Sequence, residues 1–289
     1  MTNKLILGTV QMGLDYGVNN QTGKIPYEQV QLILREAYNS GIRFLDTAEA
    51  YGDAHKIIGD FHEANPNTIF QVITKIPATD PGINFDKKVR RYLEELKIPR
   101  LEALMFHSFS AYQKFRSQQT VLKQLKTEDL FNKLGVSIYT NDEFNALIQD
   151  DAVDLIQLPF NLLDNGSLRG ELLEKAKKKG KIVHTRSVFL QGLFFKKPND
   201  NNPIVKELKD QLTQIHKLAN DSGASISDLA LSYCLQQKNI DGVLIGIDSI
   251  EQLRSNLKSR EHQPSQDTID QIDRIQTKNT DLLNPALWN

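Results

Sequence analysis

A chain of 289 residues with 39% hydrophobic side chains is long enough to bury one substantial core, and a mean hydropathy of -0.42 excludes a disordered or membrane-embedded protein. With 35 basic against 36 acidic side chains the net charge is -1, so no global field draws in nucleic acid or an anionic membrane. The longest apolar run near the start, Leu5 to Val10, is far short of the roughly 20 residues of a bilayer span and is soon followed by Asp15, so the reading predicts neither signal peptide nor anchor and a cytoplasmic protein.

Strand-length apolar runs alternate with amphipathic helical stretches along the whole chain without a Ser/Pro/Gly-rich linker, which predicts one domain over residues 1–289. The first predicted strand, Leu5–Thr9, is followed by a helix entered at Pro26, patterned by Val30, Ile33, Leu34 and Ala37 and closed by Gly41. Strand Ile42–Leu45 precedes helix Ala54–Glu63, Phe70–Thr74 precedes Phe85–Leu96, and Ala103–Phe106 precedes Gln118–Phe131. Lys133–Val136 is paired with Asp142–Gln149, Val153–Leu158 with Leu168–Lys179, Ile182–Thr185 with Pro203–Asp221 and Ser227–Gln237, and Gly242–Ile245 with Ser249–Leu257. Continuous apolar strands mark a sheet covered on both faces. A doubly wound open sheet would also alternate, but this number of repeats favours closure into an α/β (β/α)8 TIM barrel. Extra helices are expected after strand seven and at the C-terminus, the latter over Asp267–Gln276, with a tail through Trp288. Lys175, Lys177, Lys178 and Lys179 before Gly180 read as a solvated helix C-terminus. Cys234, the single cysteine, reads as a small core residue in a helix, which agrees with a reducing compartment.

In such a barrel chemistry is built from residues at the C-terminal strand ends. Asp46 follows the second strand, Tyr51 lies in the loop after it, Lys75 closes the third and His107 the fourth. Together they form a proton-transfer set. An ammonium near a phenol makes it a better acid, Asp46 would keep Lys75 charged, and His107 could donate to a carbonyl oxygen as alkoxide develops. None of these groups supplies hydride, so a nicotinamide cofactor is the natural donor. Taken singly, each fits a plainer role: Asp46 a helix cap, Lys75 a surface cation, Tyr51 packing, His107 a satisfied core histidine.

The chain resembles the aldo-keto reductase family. The resemblance begins at Leu7-Gly8-Thr9, sharpens at Asp46-Thr47-Ala48-Glu49-Ala50-Tyr51-Gly52, and continues through Thr74-Lys75, His107, Gly135-Val136-Ser137 and Leu244-Ile245-Gly246. It implies that Asp46, Tyr51, Lys75 and His107 are the catalytic tetrad, with Tyr51 the acid in reduction and the base in oxidation. It also implies an extended nicotinamide dinucleotide across the barrel mouth without a Rossmann fold, in keeping with the absence of G-x-G-x-x-G after a strand. Ser137 and Gln157 match positions that hold the carboxamide, although Ile138 stands where relatives have Asn. The run Thr185-Arg186-Ser187-Val188-Phe189-Leu190-Gln191-Gly192 matches the segment over the nicotinamide and pyrophosphate, with Arg186, whose guanidinium can stack, where many relatives have an aromatic. Gly246, Ser249, Gln252 and Asn256 match the adenosine end, while Ser249 and Gln252 also fit a capping box. The resemblance implies NADPH as the expected coenzyme, since the family as a whole leans to it, with NADH possible because Asp248 would repel a 2'-phosphate if it pointed inward and Arg254 or Lys258 would have to compensate. Ala54-His55 replaces the family's Ser-Glu and predicts a local packing change.

The expected substrate is a small carbonyl compound, a sugar among the candidates, chosen by the loops at Gln11 to Lys24, Ser108 to Arg116 and Leu193 to Asn202 and by the tail. Phe109, Tyr112, Phe160, Phe194, Phe195 and Trp288 are candidate walls. An NADPH-binding regulatory barrel with little turnover is the alternative. A metal-dependent barrel is disfavoured, since the histidines are scattered without ligand spacing and no metal site is predicted. No feature of the sequence fixes the oligomeric state.

Overall fold

Val, Ile and Leu runs too short for helices and apolar on both faces pair edge to edge, and their right-handed twist closes the sheet. The structure, a computed structural model, describes residues 3–16, 23–77 and 83–288. In chain order β1 (Leu5–Gly8), a helical turn α1 (Val10–Gly13), α2 (Tyr27–Asn39), β2 (Phe44–Asp46), α3 (Ala54–Ala64), β3 (Gln71–Ile76) and α4 (Phe85–Leu96) make up the first three units. They are followed by β4 (Leu101–Phe106), α5 (Phe109–Lys114), α6 (Gln119–Thr127), β5 (Phe131–Ser137), α7 (Asn141–Ile148), β6 (Leu155–Pro159) and α8 (Gly166–Lys178). The last stretch holds β7 (Ile182–Arg186), α9 (Pro203–Glu207), α10 (Lys209–Asp221), α11 (Ile226–Gln236), β8 (Gly242–Ile245), α12 (Ile250–Ser259) and α13 (Gln266–Asp273). The strands form a closed barrel in the order β1 to β8, and parallel pairing of β1 with β8 (Leu5↔Val243, Leu7↔Ile245) completes the circle. The expected (β/α)8 barrel is thus the observed fold, with α9 and α10 as the extra helices after β7 and α13 at the C-terminal end.

Strand side chains alternate between two apolar regions. Ile6, Ile73, Ala103, Met105 and Leu155, joined by Phe44, Ile182 and Leu244, fill the barrel interior. Their neighbours Leu5, Leu7, Val72, Leu104, Val183 and Val243 belong to the larger core beneath the helices. Space inside is tight. A Cβ on Gly135 would lie 2.7 Å from the Met105 side chain, so a bare backbone there makes room for Met105 in the same layer.

Several boundaries differ from the sequence reading because the ladder carries pairing past the apolar run. β3 extends through Lys75 to Ile76 opposite Phe106, β5 reaches Ser137, and β2 includes Asp46. The helix expected over Gln118–Phe131 stops at Thr127, since Asp129 turns left-handed (φ 62) and Phe131 already pairs with Leu101. The helix expected over Pro203–Asp221 divides at Leu208 (φ -101, ψ 17). Lys175 and Lys177 behave as a solvated helix end, paired with Glu171 and Asp241. Cys234 is buried, its thiol against the Phe160 carbonyl. Among the described residues no helix is long and apolar enough to cross a membrane.

A buried ion pair fixes the loops above β5 and β6. Arg169 Nε and Nη2 donate to Asp164 at 2.5 and 2.9 Å, while Nη1 reaches Asn141 Oδ1 and Nη2 the Tyr139 carbonyl. Burial pushes the Asp164 carboxyl up and Arg169 pulls it back, so the charge depends on its partner. Arg169→Leu is expected to cost about 3–5 kcal/mol through the unpaired buried carboxylate, read as a lowered urea midpoint; an unchanged midpoint would mean the loop is held without it.

Candidate active site

The inward parity of the strands continues to the barrel mouth, and there polar groups replace apolar ones. Two residues beyond the interior-facing Phe44 is Asp46; beyond Ile73 is Lys75, beyond Met105 His107, and beyond Leu155 Gln157. By the same rule His184 leads to Arg186, Gly135 to Ser137 and Leu244 to Gly246. The predicted strand-end residues therefore share one face of the sheet and converge at one end of the barrel.

Tyr51 reaches this mouth on a turn locked by glycine. The chain after β2 runs along β3 (Thr47 N to Ile73 O, Glu49 N to Lys75 O), then turns with Tyr51 N donating to Ala48 O at 3.0 Å and Ala54 N to Tyr51 O at 3.0 Å. Gly52 has φ +56, and a Cβ on Gly13 would lie 1.8 Å from the Tyr51 carbonyl oxygen. Gly13→Ala is accordingly expected to destabilise by about 1–3 kcal/mol through overpacking and to lower turnover by shifting Tyr51; a variant with wild-type stability and rate would show that α1 can yield. The ring of His55 is buried between Thr74 Oγ1 (2.8 Å) and Glu95 (3.2 Å), edge-on to Tyr92.

Lys75 and Asp46 form an ion pair with side chains 2% and 1% exposed, and Gln157 Nε2 donates to the second Asp46 oxygen at 2.8 Å. Burial lowers the Lys75 ammonium from its ordinary value while Asp46 raises it. Lys75 Nζ lies 5.9 Å from the Tyr51 ring centroid, and the His107 ring stands edge-on to Tyr51 at 5.9 Å. The expected lowering of the Tyr51 pKa by Lys75 is not what this geometry gives: burial and the Asp46 carboxylate push the phenol above the ordinary tyrosine range, and Arg186 opposes them. Tyr51 is therefore fully protonated at neutral pH, which is the state a proton donor needs. Burial, reinforced by the Lys75 charge, brings His107 down to about 4, so its imidazole is neutral and keeps one N–H to donate. His184, lower on β7, is also brought down to about 4 by burial. An unfolded histidine takes its proton near 6.5, so between about 6.5 and 4 the unfolded chain binds more protons. Stability is expected to fall as pH drops through that window. Thermal melts across it should show His184→Gln with a shallower fall than the wild type.

Above the set opens a cleft of about 510 Å3 that runs from Asp46, Tyr51 and Tyr139 past Arg186 and Ser187 to Gly246, Asp248, Gln252 and Asn256. Ser137 and Gln157, paired in register at the strand ends, lie buried below it. Arg186 stacks as its planarity allows, on the Tyr139 ring at 4.2 Å, and donates to the Ile138 carbonyl at 3.0 Å. Ile138 itself is buried in the outer core, so only its backbone serves the site. Beyond Arg186 the backbone is left-handed at Ser187 (φ 61), Leu190 (φ 46), Gln191 (φ 51) and Gly192 (φ 84), conformations costing about 1–3 kcal/mol each outside glycine, and Gln191 Nε2 bonds Tyr16 Oη at 3.2 Å across the mouth.

Ser249 caps α12, its hydroxyl accepting from Gln252 N at 3.3 Å, and Gln252 turns back to Asp248, so capping accounts for Ser249. The cleft fits a dinucleotide with amide groups: the side-chain oxygens of Gln11 and Gln157 are buried acceptors without a partner, and a Cβ on Gly246 would crowd the Gln11 amide at 3.1 Å. Of the expected aromatic walls only Phe195 lines the cleft; Phe160 and Phe194 are core residues, Tyr112 is buried and bonded to Asp150, and Phe109 and Trp288 pack against the core. Tyr139, Gln11, Ser227 and Pro285 line the cleft without having been singled out. Tyr139 carried a sequence signal, two residues past the end of β5, whereas Ser227 and Pro285 arrive by packing of distant segments. Part of the first predicted substrate loop, residues 17–22 with Gly17, lies outside the described residues.

The aldo/keto reductase family model matches residues 4–277. The chain belongs to that family. This aldo-keto reductase is 27% identical over 273 residues to L-galactose dehydrogenase of Arabidopsis thaliana, covering 88% of this chain and 86% of that one. It is 25% identical over 265 residues to the NADH-specific methylglyoxal reductase of Escherichia coli K12, covering 77% and 79%. In fold it is similar to the holo form of an aldo-keto reductase from Bacillus halodurans (TM-score 0.76, 19% identity, 96% and 93% covered). An aldo/keto reductase from Klebsiella pneumoniae in complex with NADP and acetate superposes with TM-score 0.70 at 17% identity, covering 96% and 93%. The protein is thus an NAD(P)H-dependent oxidoreductase.

Proposed function

We propose that this aldo-keto reductase reduces a small aldehyde or ketone to the alcohol, with Tyr51 as the proton donor. The observation that carries the reading is the buried Lys75–Asp46 pair seated under a protonated Tyr51 at the foot of the cleft. When bound, NADPH or NADH supplies hydride to the carbonyl carbon. Tyr51 Oη gives its proton to the carbonyl oxygen as negative charge develops there, and the neutral His107 imidazole donates a second hydrogen bond to the same oxygen. Lys75 stabilises the phenolate left on Tyr51, Asp46 holds the ammonium in place, and Gln157 holds Asp46. Ser137 and the unpartnered Gln157 Oε1 would hold the carboxamide, Arg186 and Ser187 the middle of the dinucleotide, and Gly246, Gln252 and Asn256 its adenosine end.

Small oxygenated carbonyl compounds, aldoses and 2-oxoaldehydes, are the substrate class that we favour, because relatives named as dehydrogenases of L-galactose and D-threo-aldoses and as a methylglyoxal reductase are among its matches. The test is a panel of aldoses and short-chain aldehydes and ketones, with consumption of reduced coenzyme followed at 340 nm for both coenzymes. Saturable turnover that disappears in Tyr51→Phe supports the proposal; coenzyme binding without turnover of any carbonyl or alcohol would overturn it.

A further inference from the structure

The cleft carries its charges unevenly. Among the described residues that line it, the ionisable groups apart from tyrosines are Asp46, Arg186 and Asp248. Asp46 is matched by Lys75 at the reactive end, and Arg186 lies on Tyr139 above β5 and β7. A dinucleotide with its reacting ring near Tyr51 must lay its other half along the remaining lining, where Gly246, Asp248, Gln252, Ser255 and Asn256 follow the start of α12. Asp248 is the only charged side chain among these.

Its position is fixed. Gln252 Nε2 donates to Asp248 Oδ2 at 3.2 Å, and Gln252 Oε1 accepts from Asp248 N at 2.9 Å, so side chain and backbone of Asp248 are both tied to the helix. The cations of α12 point elsewhere. Arg254 Nε and Nη2 are bound to Glu36 of α2 at 3.0 and 3.2 Å, and Lys258, four residues on, shares that face of the helix. The positive helix end is also answered already: Ser249 accepts from Gln252 N, and Glu251 in the first turn is drawn below its ordinary range by its own amide and Ser249.

We infer that this cleft selects NADH over NADPH, and that Asp248, held by Gln252, is the residue that decides it. The inference rests on the hydride-transfer reading above, in which the dinucleotide occupies this cleft. A ribose bearing a free 2'-hydroxyl can donate to the Asp248 carboxylate; a 2'-phosphate brings about -1.5 to -2 charges against that same carboxylate with no cation beside it. The carboxylate cannot swing away without giving up its hydrogen bond from Gln252 Nε2, while the bond from Asp248 N to Gln252 Oε1 keeps that amide in place.

The experiment is an equilibrium fluorescence titration of the full chain with NADH and NADPH, repeated with 5'-AMP and 2',5'-ADP as displacing ligands, which carry the ribose difference without the nicotinamide. The wild type is expected to bind NADH at least about 30-fold more tightly, roughly 2 kcal/mol. In Asp248→Asn the preference should shrink to within a few-fold, through gain of NADPH affinity. Asp248→Asn combined with Gln252→Arg should reverse it. Equal or tighter binding of NADPH by the wild type overturns the inference alone, as does an undiminished preference in Asp248→Asn. Failure to bind either dinucleotide overturns the hydride-transfer reading and this inference with it.

Discussion

Tyr51→Phe is expected to lower kcat for carbonyl reduction by about three orders of magnitude, within the range general acid catalysis commonly contributes, while the Kd for the dinucleotide changes less than about twofold. The substitution removes one oxygen and leaves the ring, so the edge-on contact with His107 and the position over Lys75 persist. What disappears is the phenol proton that the proposed mechanism leaves on the nascent alkoxide. His107, neutral with its pKa near 4, would have to give up its remaining imidazole N–H and be left as an imidazolate. Steady-state kinetics on any accepted carbonyl compound, beside a coenzyme titration, separates the two effects. A variant that turns over normally would remove Tyr51 from the mechanism, and one that loses coenzyme affinity in proportion would make it a binding residue.

Lys75→Met should have the second largest effect, and on two quantities. Asp46 would keep only the Gln157 amide in a place that is 1% exposed, and stranding a buried charge in this way costs about 3–5 kcal/mol unless the carboxyl takes up a proton. The phenolate on Tyr51 would lose its compensating charge, and turnover should fall by about a hundredfold or more. Combining Lys75→Met with Asp46→Asn replaces the stranded carboxylate by an amide, so melting temperature should largely recover while kcat stays low. Recovery of both would mean that the pair serves stability alone; a single variant with unchanged kcat would do the same for Lys75.

Much of this was legible without coordinates. The strand runs, the helix stop at Gly41 and the placement of Asp46, Lys75 and His107 at successive strand ends are local signals, since strand and helix periods act over a few residues. A parity rule was also available: each polar residue at the mouth stands two positions beyond an interior one, as His107 does after Met105. Boundaries were less legible, because pairing of β3 with β4 extends the strand through Lys75 and the turn at Asp129 ends α6 early. The aromatic walls were misjudged for a related reason. Phe160 and Phe194 are apolar enough for either place, and only the packing of α11 and the loop after β7 puts them inside.

The sequence by itself determined the barrel, the family and the residue types gathered at its mouth, because backbone periodicity and strand-end position follow from order along the chain. Tertiary structure alone decided what those residues face: Arg186 stacked on Tyr139, Arg254 bound to Glu36 across 218 residues, Gly13 wedged under Tyr51, and Asp248 left as the charged group beside α12 in the cleft. Long side chains choose partners through space, and the free energy of a charge depends on burial and neighbours that no spacing along the chain encodes.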